Sequence, residues 1–121
     1  MINLDTHMLV DAIEGLLTPA EHNALEPESW CISAIVLWEI EMLSRARRIR
    51  LSLESPALAN VLDQVQIIAI DSNIARAIRR LDFRSDPADE LISATSVQLN
   101  VPLATRDALI HGSRVVPLVR M

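Results

Sequence analysis

Short apolar segments at residues 2–4, 30–33, 66–70 and 101–105 alternate along the chain with longer stretches whose apolar side chains recur at helical spacing. This alternation constrains the fold more than any other feature of the sequence. Strands that are apolar at nearly every position must be covered on both faces, and strands separated by helices build a parallel sheet. The expected architecture is therefore a three-layer α/β/α domain. A fifth strand is expected at residues 115–119, at the sheet edge, because Pro117 lacks the N–H that an interior ladder requires.

Capping chemistry sets the expected helix boundaries. The first helix runs from Thr6 to about Glu14. Thr18, Pro19 and Glu21 then supply a capping hydroxyl, a first-turn proline and a glutamate three residues after the cap. Ser55-Pro56 and Asp86-Pro87 repeat the cap-then-proline pattern, and Asp71 or Ser72 caps a helix ending near Leu81. Ser33 is expected to cap a long helix through about Arg48, while Asn100 and Pro102 close the helix begun at Asp86. The stretch LDFRS, from Leu81 to Ser85, reads as a loop beside a functional site.

A chain of 121 residues, half of them hydrophobic, encloses one core and not two, so a single domain over residues 1–121 is expected. Asp11 and Glu14 interrupt the only early hydrophobic stretch, which argues against a secretory signal. The uncharged run Ser29 to Trp38 is ten residues and Leu91 to Thr105 fifteen, both short of the roughly 20 that a membrane span needs. The lone Cys31, set in WCISAIVLW, has no thiol partner and reads as a buried core residue in a reducing compartment, with the cytoplasm as default. All eleven basic residues are arginines, so Schiff-base and phosphate-loop lysines are excluded, and two glycines are too few for a Gly-rich nucleotide loop. One phenylalanine, two tryptophans and no tyrosine argue against a base-stacking platform as well.

Four carboxylates, Asp5, Glu39, Asp89 and Asp107, stand where acids are usually kept out. Asp5 and Asp107 directly follow strands, and in open parallel sheets the functional crevice lies beyond the carboxyl ends of the strands. Either aspartate alone reads first as a helix N-cap, and only the pair points to a site. Glu39 has Ile35, Val36, Met42 and Leu43 as its helical neighbours, an apolar stripe in which a carboxylate needs a partner. Glu41, by contrast, is expected to pair with Arg45 on an exposed face. Asp89 sits in the first turn of a helix of small residues, where the dipole favours an acid, with Asp86 and Glu90 nearby in support. Four acids meeting at one spot would repel by about 4 kcal/mol per close pair at an effective dielectric near 20. A divalent cation removes that repulsion, and oxygen ligands without Cys or clustered His favour Mg²⁺ or Mn²⁺. The three histidines, His7, His22 and His111, are scattered, and only His7 follows an acid closely enough to approach the site.

The segments NLDTHMLV, SAIVLWEIEML, DPADELISATSVQLNVPLATRD and VVPLV occur in this order from end to end, and through them the chain resembles PIN-domain ribonucleases, specifically the VapC-like toxin half of bacterial VapBC-type toxin–antitoxin pairs. The resemblance implies a parallel sheet with strand order 3-2-1-4-5. It makes Asp5, Glu39, Asp89 and Asp107 the catalytic, metal-binding acids, and Thr6 and Thr105 polar positions that hold them or a metal-bound water. It further implies endonucleolytic cleavage of RNA by metal-activated water, and a small antitoxin that blocks the crevice. Two departures bear on substrate preference and RNA-binding strength: Glu41 and Met42 stand where relatives often carry a basic residue, and the common DPFDR is DPADE here.

RNA requires a basic track, and Arg45, Arg47, Arg48 and Arg50, or Arg76, Arg79 and Arg80, could supply one; as often such stripes are merely solvated. The net charge of −5 argues against wholesale attraction to nucleic acid, though acids gathered around a metal weaken that inference. High apolar content makes a homodimer plausible. The competing reading is a PIN-like module that keeps the acids but only docks a partner protein. A phosphatase using Asp5 as nucleophile is disfavoured by DTH, which lacks a second aspartate two residues on.

Overall fold

The computed structural model describes residues 1–121 and holds a four-stranded parallel sheet flanked by helices. In chain order the elements are β1 (Ile2–Leu4), α1 (Thr6–Glu14), α2 (Pro19–Leu25), β2 (Trp30–Ser33), α3 (Ile35–Arg45), α4 (Pro56–Leu62), β3 (Gln66–Ile68), α5 (Ser72–Ala77), a 3₁₀ turn (Ile78–Arg80), α6 (Pro87–Leu99), β4 (Leu103–Ala104) and α7 (Ala108–His111). No helix is long and apolar enough to cross a membrane.

The strand order is β3-β2-β1-β4, with Ile2 beside Trp30, Asn3 beside Leu103 and Cys31 beside Gln66. The expected fifth strand is reduced to a single parallel bridge between Leu103 and Leu118. Its two backbone bonds, Leu103 N to Pro117 O at 2.8 Å and Val119 N to Leu103 O at 2.9 Å, use the proline's acceptor only. A residue without a donor at this point prevents the ladder from extending. The segment thus occupies the expected fifth position without forming a strand. At the opposite edge β3 stops at Ile68 rather than Ile70, and Ile67 and Ile70 are exposed, so cover on both faces fails there.

The core runs through the middle of the sheet, with Leu4, Leu9, Ile32, Val36, Leu58 and Ile92 among its fully or nearly fully buried members. Cys31 is buried within it, as expected. The small residues Ser93, Ala94, Thr95 and Ser96 of α6 are all buried, which lets this helix lie close against β1. Asn3 Nδ2 donates to Ile92 O at 3.2 Å and to Ser96 Oγ at 2.9 Å across that contact.

Most helix starts follow their capping sequences. Thr18 and Glu21 form a reciprocal capping box, and Asp71 and Asp86 accept from the backbone of Ile74 and Asp89. Ser33 Oγ accepts from Ile35 N at 3.2 Å, but the helix proper begins one residue later than expected. Ser55 stands at the head of α4, yet its hydroxyl turns back to accept from Ser52 N at 3.0 Å instead of capping. Helix α3 ends at Arg45, short of Arg48, because Arg47 takes a left-handed conformation with φ of 57°. Arg48 N donates to Leu43 O and Arg47 N to Ser44 O, the paired bonds of a Schellman turn with arginine where glycine is usual. The basic stretch after α3 is therefore a tight turn and not a helical stripe. Likewise Arg76 lies in α5 while Arg79 and Arg80 lie in the 3₁₀ turn, so these three do not form one α-helical face.

Candidate functional site

In the order β3-β2-β1-β4, the chain leaves β1 toward β2 on one side, while β4 lies on the other. The connections therefore diverge at the carboxyl ends of β1 and β4, and a crevice opens between them. Asp5 follows β1 directly, and Asp107 follows β4 at the head of α7. Each is an N-cap: Asp5 Oδ1 accepts from Met8 N at 2.8 Å and Asp107 Oδ1 from Ile110 N at 3.0 Å. One oxygen is occupied by the cap in each case, which fixes the carboxylate and leaves a second oxygen.

Asn3 and Asp5 lie on the same face of β1, and Asn3 already touches the middle of α6. Two residues further along the strand is a displacement of about 7 Å, matching about one and a quarter turns of helix. Asp5 is thereby brought toward the first turn of α6, where Asp89 sits. Asp5, Glu39, Asp86, Asp89 and Asp107 all line one crevice of about 420 Å³, together with His7, Met8, Asp11 and Arg106. Within it Glu39, Asp86 and Asp89 each bring a carboxylate oxygen to within 4.8 Å of the others. Asp86, expected only in support, is thus in the tightest cluster, while Asp5 and Asp107 form the adjoining wall.

The electrostatics follow from this crowding. Burial pushes the Asp89 carboxyl up to about 6, and repulsion from Asp86, Glu39 and Asp107 adds to it; the hydrogen bond from Ser85 Oγ, at 3.0 Å, opposes the rise. Asp5 is also raised, chiefly by burial, against the opposing effects of a hydrogen bond with Thr105, the Met8 amide and the charges of His7 and Arg106. Thr6 Oγ1 donates to Glu39 Oε1, and Thr105 Oγ1 accepts from Asp107 N at 3.1 Å, so both threonines hold acids of the crevice. His111 Nε2 lies 2.6 Å from Thr105 O, and exposed His7 lines the rim.

Several participants were not singled out in the sequence. Ser85 comes from the loop expected beside the site, and its own N–H donates to Glu90 Oε2 at 3.1 Å. Glu90 therefore orders that loop. Arg106, the one arginine lining the crevice, is bound to Glu21 and Asp11, acids that carried no sequence signal beyond α2's capping box and an interruption in α1. Glu41 is half-buried and makes no ion pair with Arg45; the helix ends at Arg45, whose side chain turns to solvent. Arg45, Arg47, Arg76, Arg79 and Arg80 are exposed and line neither this crevice nor the groove beside it, whereas Arg48 lines that groove.

Comparison with curated proteins gave no match. Among solved structures, the chain is similar to VapBC2 from Rickettsia felis bound to a DNA fragment from their promoter, with a TM-score of 0.74, 22% identity, and coverage of 98% of this chain and 97% of that one. It is similar to a toxin–antitoxin complex from Klebsiella pneumoniae, with a TM-score of 0.70, 22% identity, and coverage of 93% and 92%. It also resembles FitAcB from Neisseria gonorrhoeae, with a TM-score of 0.69, 22% identity, and coverage of 99% and 97%. At these identities the likeness establishes the fold. The PIN domain family model matches residues 2–111, nearly the whole chain, and the protein belongs to the PIN domain family.

Proposed function

We propose that this protein is a Mg²⁺- or Mn²⁺-dependent endoribonuclease and the toxin of a VapBC-type toxin–antitoxin pair. The observation that carries the reading is the convergence of Asp5, Glu39, Asp86, Asp89 and Asp107, from separate parts of the chain, on one crevice at the switch point of the sheet. Family membership and likeness to toxin–antitoxin complexes support it.

The donor set suits a hard divalent cation, being all carboxylate oxygen with neither thiolate nor paired imidazole. The raised Asp89 carboxyl reflects uncompensated negative charge, which such an ion would offset. Glu39, Asp86 and Asp89 would hold it, with Asp5 and Asp107 as ligands on the adjoining wall. A bound divalent ion supplies an activated water and neutralises the charge that builds on the phosphate. The protein's part is placement: Thr6 orients Glu39, Ser85 orients Asp89, and Thr105 with the two helix caps fixes Asp5 and Asp107. In the hydrolysis the water oxygen forms a new bond to phosphorus as the P–O3′ bond breaks, leaving a 5′-phosphate and a 3′-hydroxyl that takes up the proton.

Cognate antitoxin binding, a cytoplasmic setting and pairing of two copies belong to the same reading. The buried, unpaired Cys31 fits a reducing compartment, and exposed Trp38, Ile67 and Ile70 supply apolar surface for a second copy.

Cleavage of total cellular RNA by purified, Mn²⁺-loaded protein tests the proposal. Asp5→Asn and Asp89→Asn should abolish cleavage while the fold persists, since asparagine can cap α1 in place of Asp5 and at position 89 keeps an acceptor for Ser85 Oγ. Full cleavage by both variants removes the assignment. A protein indifferent to Mn²⁺, Mg²⁺ and chelator, in both activity and thermal stability, would instead be a docking module.

A further inference from the structure

An open groove of about 840 Å³ runs alongside the acid crevice and shares His7 and Asp11 with it, so the two form one continuous surface. Its far wall is the turn that closes α3. There the left-handed Arg47 reverses the chain through the Schellman bonds, and Arg48 and Arg50 line the groove beside Leu43 and Ile49. Both arginines are exposed and neither has a carboxylate or hydrogen-bond partner. Of the acids in the groove, Asp11 shares the single charge of Arg106 with Glu21, and Glu14 has no basic partner, so Arg48 and Arg50 are the two guanidinium groups left free there. The other basic group differs: Arg76 donates to Asn73 at 2.6 Å, Arg80 donates to Gln98 at 2.7 Å, and none of Arg76, Arg79 and Arg80 lines the crevice or the groove.

We propose that the groove lined by Arg48 and Arg50 binds the sugar–phosphate backbone of single-stranded RNA leading to the acid crevice, with His7 at the junction. The inference rests on the nuclease reading. The acids repel phosphate wherever a metal does not stand between them, so the strand needs cations beside the crevice, and of the three arginines that line the crevice or the groove, Arg106 is paired and only Arg48 and Arg50 are free. Arginine forks suit phosphate oxygens in two-pronged contact. The apolar stems of the groove wall accept the sugar edges without selecting a base, so the subsite contributes affinity rather than sequence preference.

Binding of a short fluorescent single-stranded RNA is measured in the Asp5→Asn background, which prevents cleavage, over a range of salt. Arg48→Gln with Arg50→Gln should weaken binding at least tenfold and reduce the salt slope by about 1.4, two phosphates at about 0.7 each. Arg76→Gln with Arg79→Gln removes the same charge and should change affinity less than twofold. Arg48→Lys with Arg50→Lys should recover most of the loss. Equal losses in the two glutamine pairs, or an unchanged affinity in the first, overturn the proposal; an unchanged affinity would assign the groove to a protein partner. Should the double exchange fail to fold, each single exchange is read against the same limits. Wild-type protein that neither binds nor cleaves RNA refutes the nuclease reading itself, whereas cleavage with affinity indifferent to Arg48 and Arg50 refutes only the groove.

Discussion

Arg106 grips Glu21 with two parallel hydrogen bonds, Nε to Oε2 and Nη2 to Oε1, each 2.7 Å long, although 85 residues separate the pair. Glu21 Oε1 also accepts from Thr18 N at 2.8 Å, so the carboxylate that closes the capping box of α2 also anchors the turn carrying Asp107. The third arm of Arg106 reaches Asp11 in α1. One guanidinium thus ties two early helices to the last acid of the crevice, in the planar geometry that makes arginine pairs specific.

Glu21→Gln should lower stability by about 1–3 kcal/mol at neutral pH, because the buried carboxylate is lost while the half-exposed arginine keeps part of its hydration. The guanidinium holds the Glu21 carboxyl down at about 2 from an ordinary 4.5. A depressed acid stabilises the fold fully above its unfolded value, and the contribution fades as pH falls from about 4.5 toward 2. Denaturant unfolding at pH 7 and near pH 3 should show the gap between wild type and variant narrowing on acidification. A gap constant with pH would mean the clamp contributes nothing through its charge.

Asp89 has the opposite sign. Its folded value of about 6 lies above the ordinary 3.8, so the native state holds the proton more tightly and loses stability as pH rises through that window. The size of the shift sets an upper bound of about 3 kcal/mol on the penalty at pH 7, and solvent screening at this half-buried carboxyl brings it to about 1–2 kcal/mol, with crowding by Asp86, Glu39 and Asp107 as one part of it. Asp89→Asn keeps an acceptor for Ser85 Oγ and should stabilise metal-free protein at pH 7 by about 1–2 kcal/mol, with no gain below pH 4. Thermal melts of both proteins in chelator across this pH range check it, and a variant less stable than wild type at pH 7 contradicts it.

How legible these features are depends on whether a residue's reason lies nearby in the chain. Asp86-Pro87 and Thr18-Pro19 announce their helices because a cap and its partner are three residues apart. Glu39 stands out because an acid in an apolar stripe is a local anomaly. Arg106 and Glu21 carry no such mark, since each is an ordinary surface residue until the fold joins α2 to the end of β4. Asp86 reads as a cap, which it is, and its second oxygen's place beside Glu39 and Asp89 depends on how α6 meets α3. The truncation of the fifth strand is half legible: Pro117 marks an edge, but whether flanking residues can still pair is settled by the path after α7. The end of α3 is not legible, because arginine is a poor left-handed residue and nothing local in ARRIR signals that Arg47 adopts that conformation.

Thr6 offers a test of orientation apart from chemistry. It is buried at the first position of α1 and its hydroxyl donates to Glu39 Oε1. Thr6→Val preserves the shape and removes the donor, leaving Glu39 free to rotate. Groups that orient a metal ligand are typically worth ten- to a hundredfold in metal affinity. Calorimetric titration should find Mn²⁺ bound at least tenfold more weakly by the variant, with far-UV dichroism unchanged; undiminished affinity would show that Glu39 needs no such support.

Arg47 carries the clearest backbone strain in the chain. With φ at 57° its Cβ crowds the following carbonyl, at a cost of about 1–2 kcal/mol for a residue other than glycine. The conformation persists because Arg47 N and Arg48 N donate to Ser44 O and Leu43 O and so satisfy the last turn of α3. Arg47→Gly removes the crowding but adds freedom to the unfolded chain, which offsets part of the gain. The expected net is a stabilisation of about 0.5–1 kcal/mol, read as a higher denaturation midpoint at unchanged m-value. Arg47→Ala, which keeps a Cβ, should give no such rise, and that contrast isolates the backbone from the lost charge. If alanine stabilised as much as glycine, repulsion among neighbouring arginines, and not strain at this turn, would be what the substitution relieves.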